Sequence, residues 1–149
     1  MNVRKKLLTM LVALCLLVGM IPLSVSAQST LVWPVPGHTN RTQSFIAGQH
    51  EGIDISDANI YGADIVAAMG GTVRNIWLSN CNHPGDSDPD GSCCYGFGTG
   101  LVIQGDDGRI YQYAHMLPGS IPANVYRITY LTAGQKIGQV GDSGNSYDT

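Results

Sequence analysis

The chain has 149 residues, 44% of them hydrophobic and only 13% charged, with eleven acidic residues against eight basic ones. Three of the basic residues, Arg4, Lys5 and Lys6, open a leader, so the remainder carries five bases against eleven acids, a net charge of −6. That balance argues against nucleic acid or an anionic membrane as partner.

Residues 1–27 read as a secretory signal peptide: the basic start is followed by an apolar run from Leu7 to Met20 and a small-residue cleavage site at Val25-Ser26-Ala27. The run is short for a membrane span. Leu14 before Cys15 speaks against a lipid anchor there. The mature chain is expected to run from Gln28 to Thr149, 122 residues and one domain, secreted or extracellular. Nothing in it indicates an oligomeric state.

No long window of 3.6-residue periodicity occurs, glycine is spread throughout, and short strands are the expected element. Trp33-Pro34-Val35-Pro36 suits a rigid extended edge. In His50-Glu51-Gly52-Ile53-Asp54, a strand would place His50, Gly52, Asp54 and Ser56 on one face and turn Ile53 and Ile55 into a core. A histidine and an aspartate offer one nitrogen and one oxygen ligand of the kinds catalytic zinc sites use, though the same spacing also suits a surface histidine beside a loop. A straight strand would hold their Cα atoms about 13 Å apart, so a bend is expected at Gly52.

Ile65 to Ala68, Gly70-Gly71 and Thr72 to Leu78 read as a hairpin. Residues 79–96 read as a polar, cysteine-bearing surface insertion. It holds Cys81, Cys93 and Cys94, an odd number in a chain bound for an oxidising compartment. A bridge from Cys81 to Cys93 or Cys94 would be worth about 3 kcal/mol, and the spacing does not choose between them. Asp86, Asp88 and Asp90 have the start of a Ca2+ loop, but Phe97 stands at its twelfth position where a bidentate Glu would close it. Three solvated acids are the expected reading, with His83 simply exposed. Gly96, Gly98 and Gly100 precede a strand, not a helix, which excludes a phosphate loop.

Leu101 to Gln104 and Arg109 to Met116 form a second expected hairpin about Asp106-Asp107-Gly108. Alternation sends Tyr111, Tyr113 and His115 to one face, which suits a polar site and an ordinary solvent face equally. Val125 to Leu131 reads as a strand, Ala133 to Gly141 as a turn and strand, and Asp142 to Ser146 as a turn cluster.

Taken together, Trp33-Pro34, His50 to Ile55, Gly71-Thr72-Val73, Tyr113-Ala114-His115-Met116 and Gly134 to Ser146 resemble peptidase family M23, the lysostaphin and LytM type of zinc metalloendopeptidase. The resemblance implies an all-β fold, a compact antiparallel sheet domain related to the barrel-sandwich hybrid. It implies His50 and Asp54 as zinc ligands and His115 as a catalytic histidine near the metal. Zinc in such a set keeps a position for water, lowers that water's pKa and polarises an amide carbonyl. The family's His-x-His motif, source of a third ligand and a second histidine, does not occur up to Thr149, and His38 stands in no matching place. The chain is therefore expected to be a truncated record of an enzyme, binding zinc weakly and hydrolysing little by itself.

The expected activity is hydrolysis of peptide bonds in the stem or cross-bridge of bacterial peptidoglycan. The alternative is a non-catalytic relative that binds wall peptide or regulates another wall hydrolase. A biotinyl or lipoyl-like carrier is set aside, because no lysine stands near Met69 to hold a cofactor.

Overall fold

Every second residue from Thr99 to Gly105 is buried, and Thr99, Leu101 and Ile103 have no exposed surface at all. Such alternation makes a strand with one face on the core, and this one (β5, Thr99–Gly105) lies inside a four-stranded antiparallel sheet. In the computed structural model, which describes residues 30–79, 96–144 and 146, the sheet order is β6-β5-β4-β7, with β4 at Gly71–Trp77, β6 at Ile110–Met116 and β7 at Tyr130–Leu131. Two smaller antiparallel pairs join β1 (Arg41–Gln43) to β2 (Asp54–Ile55) and β3 (Asp64–Val66) to β8 (Lys136–Gln139). No helix forms among the described residues, in agreement with the expected all-β antiparallel class. The expected leader, the three cysteines, His83 and the Asp86, Asp88 and Asp90 loop lie outside the described residues.

One core serves the four-stranded sheet and the β3–β8 pair. Val73, Leu101, Ile103 and Leu131 from the four-stranded sheet and Ile65 and Ile137 from the β3–β8 pair belong to a single buried cluster. Each such side chain contributes about 1.5–3 kcal/mol by leaving water. The lead-in segment is held by two backbone bonds, Val32 N–H to the Ala68 carbonyl and Val66 N–H to the Pro34 carbonyl, both 2.8 Å, so Trp33-Pro34 runs extended beside β3 without forming a strand.

The hairpin about Asp106-Asp107-Gly108 forms as its turn residues predict, with Gly108 at φ +81° and Gly105 N–H donating to the Arg109 carbonyl. The one about Gly70-Gly71 does not. Residues 65 to 69 are buried without interruption, and a turn there would need solvent for its backbone. The segment instead crosses the core: β3 pairs with β8, and Gly71 opens β4 between Gly105 and Leu131. A Cβ at Gly71 would stand 2.2 Å from the Gln104 carbonyl oxygen, which restricts the crossing to glycine. Only Tyr130 and Leu131 of the expected strand 125–131 are extended. The rest is a turn that exposes Tyr126 and Ile128, the latter at φ +70°.

The face bearing Tyr111 and Tyr113 is the core face. Tyr113 is buried, its hydroxyl accepts the Ala68 N–H at 2.8 Å, and burial pushes the phenol's pKa up to about 12. The fold thus favours the neutral phenol. Its contribution to stability is complete below the ordinary tyrosine pKa near 10 and is lost as pH rises from there through 12. We predict that Tyr113→Phe lowers stability by about 1–3 kcal/mol at pH 7, because the Ala68 N–H is left unpaired, and flattens the alkaline limb. Urea melts between pH 7 and 11.5 measure both, and an unchanged alkaline limb would contradict the assignment.

Candidate functional site

A tight loop aims His50. Ile46 and His50 exchange both backbone hydrogen bonds, N–H to carbonyl at 2.7 and 2.8 Å, around Ala47-Gly48-Gln49, with Gly48 at φ +74°. Inside that loop the His50 Nδ1 lies 3.1 Å from the Ser44 carbonyl oxygen. A carbonyl only accepts, so Nδ1 carries the proton and a neutral ring presents a lone pair at Nε2. That nitrogen faces Asp54 Oδ1 at 3.1 Å.

The bend expected at Gly52 is present, and it brings together two donors that a straight strand would hold apart. Because β2 begins only at Asp54, alternation does not reach Ile53. Ile53 is exposed, contrary to the expected core position, while Ile55 packs on the core. Phe45 and Ile46 are exposed in the same loop.

Two lone-pair atoms facing each other across 3.1 Å need a proton or a cation between them. Ligands bonded at 2.0–2.1 Å to one tetrahedral ion stand about 3.3 Å apart, so the pair fits a zinc ion. The Ser44 carbonyl is the outer partner that fixes a ligating imidazole's tautomer. Among the described residues no group of three or more His, Cys, Asp or Glu gathers around one point, so the pair needs a further ligand from elsewhere.

His115 is held separately, on a bulge. Between the pairs Leu101–Tyr113 and Thr99–Met116, β6 carries one residue more than β5, and the excess falls at Ala114-His115. His115 adopts φ +55°, off the strand alternation, so it does not share the face of Tyr113. Its N–H donates to the Phe97 carbonyl at 2.9 Å, its carbonyl accepts from Gly141 N–H at 3.2 Å, and its ring Nδ1 donates to the Ser143 carbonyl at 2.8 Å. The Phe97 ring stands 6.4 Å from the imidazole and lines an open cleft of about 360 Å³ with Trp77, Gly98, Val102 and Gln112.

Three features escape sequence reasoning. Ser44 and Ser143 act through backbone carbonyls, which no residue type announces. His38 Nδ1 hydrogen-bonds Asp57 Oδ1 at 2.6 Å across nineteen residues, and the His38 carbonyl accepts the Trp33 indole N–H at 2.6 Å. No spacing motif covers that reach.

The domain is all-β, with a histidine and an aspartate facing each other across the Gly52 bend and a further histidine on the β6 bulge. The profile of Peptidase family M23 matches residues 48–149, more than half of the chain, and the chain belongs to that family. Its peptidases are typically zinc-dependent. Neither a curated protein nor a solved structure matches the chain.

If His50 and Asp54 are ligands and His115 is not, His50→Ala and Asp54→Ala lower zinc affinity by about 100-fold or more, and His115→Ala leaves it within a few-fold. Competition titration against a chromophoric chelator reads this. Equal losses in all three variants would put His115 in the ligand set.

Proposed function

We propose that the protein is an exported zinc endopeptidase that hydrolyses peptide bonds in the stem or cross-bridge of bacterial peptidoglycan. The observation that carries this reading is the facing of His50 Nε2 and Asp54 Oδ1 at 3.1 Å within the family-matched residues. Bound there, zinc supplies Lewis acidity toward a scissile carbonyl and toward water.

This chain's own residues do the rest. Ser44 orients His50 through its carbonyl. His115, fixed on its bulge by Phe97, Gly141 and Ser143, handles the proton of the attacking water. The open cleft beside it, lined by Trp77, Phe97, Gly98, Val102 and Gln112, receives an extended peptide. Export rests on the leader at residues 1–27. A net charge of −6 on the mature chain favours a neutral or basic peptide over an anionic polymer.

The second reading is a non-catalytic domain that binds wall peptide or regulates another hydrolase.

The gene-encoded full-length protein loaded with zinc is expected to release new amino groups from purified peptidoglycan, and chelation to abolish the release. His115→Ala is expected to lower the rate by at least about 100-fold while zinc stays bound. Binding to the wall without new amino groups, at full zinc occupancy, would replace the enzyme reading with the second one.

A further inference from the structure

Ser143 has no exposed surface, yet every polar atom it has beyond its own N–H is engaged. Its Oγ donates to the Met116 carbonyl at 2.5 Å and accepts the Thr99 N–H at 2.9 Å. Thr99 and Met116 are the pair that closes the β6 bulge, so this hydroxyl pins both strands just where β6 carries its extra residue. The carbonyl of the same serine accepts the His115 Nδ1–H at 2.8 Å. Gly98 seals the arrangement: it sits at φ +60°, and a Cβ there would stand 2.3 Å from both the carbonyl carbon and the oxygen of Ser143. Backbone therefore lies directly on backbone, leaving the Ser143 carbonyl no latitude to turn away from the imidazole.

We infer that Ser143 is the positioning residue of His115. Its hydroxyl locks the strand ends, its carbonyl holds Nδ1 protonated, and the neutral ring is thereby committed to presenting Nε2 as a proton acceptor. The inference rests on the peptidase reading for its chemical consequence. A neutral His115 in this tautomer has no N–H to offer a developing oxyanion from Nε2, so it acts first as a base. The proton passes from the attacking water to Nε2 as the water oxygen bonds the carbonyl carbon. It passes from Nε2 to the departing amine nitrogen as the C–N bond breaks. The opposite tautomer would present an N–H at Nε2 and could not begin this sequence.

The test is a long-range proton–nitrogen correlation spectrum of the uniformly ¹⁵N-labelled protein, with and without zinc, at a pH where the ring's own nitrogen shifts show it neutral. The wild-type His115 is expected in the Nδ1–H tautomer alone. Ser143→Ala is expected to give a mixture of tautomers and a kcat at least about 10-fold lower with KM little changed, and Ser143→Thr, which keeps the hydroxyl, to restore the single tautomer. A wild-type ring protonated at Nε2, or a folded Ser143→Ala variant with an unchanged ring spectrum, overturns the inference. Should Ser143→Ala fail to fold, the wild-type spectrum decides alone. The expected tautomers in a protein that releases no amino groups would sink the peptidase reading and leave the positioning role standing. The reverse tautomer in a lytic protein would do the opposite.

Discussion

β6 carries one residue more than β5 can pair, and much of the molecule follows from where that excess is placed. Met116 must return to the core beside Thr99, both being fully buried, so the extra length can only be taken up between Tyr113 and Met116. Tyr113 is itself tied to the core by its bond to Ala68. The two residues left over include His115, which is driven into a left-handed backbone conformation and off the sheet's alternation. A regular strand would have sent this histidine to the core face with Tyr113. The bulge re-aims it toward loops 96–98 and 141–144, against Phe97, one of the residues that line the cleft.

The same electrostatic device appears twice. His50 and His115 each have Nδ1 against a backbone carbonyl, from Ser44 and Ser143 respectively. Each ring is thereby left with Nε2 as its functional atom. A carbonyl is a sound choice for this task because it can only accept and, being part of the main chain, has no rotamer to lose. A carboxylate in the same place would add charge beside a site that must already accommodate Asp54. The two histidines differ in what faces Nε2: for His50 it is a carboxylate oxygen, which calls for a proton or a cation between them.

Much of this was legible in the sequence. The turn at Asp106-Asp107-Gly108, the bend at Gly52, the strand at Lys136–Gln139 and, among the described residues, the absence of helices all follow from local chemistry, and the structure has them. The misreadings are of one kind. Ile65 to Met69 is an apolar run next to two glycines, and periodicity alone does not distinguish a strand that turns back at the surface from a segment that crosses the core. Val125 to Leu131 has strand-like composition, but its Tyr126 and Ile128 decorate a turn instead of a sheet. The tyrosine face of β6 suits a site or solvent by alternation alone and is the core face in the structure. The carbonyls of Ser44 and Ser143 carry no signature at all, since every residue has one.

The segment running from Val32 to His38 contributes no ligand and no strand, yet it is a strap between β3 and the turn that follows β2. At one end it is bonded to Ala68 and Val66, beside the core pair of strands, and at the other His38 grips Asp57, three residues beyond Asp54. The small β1–β2 pair has no sheet neighbour of its own to steady it. Slack in the strap is therefore slack at Asp54. The setting of Asp54 is thus tied to a stretch that a search for functional residues would pass over.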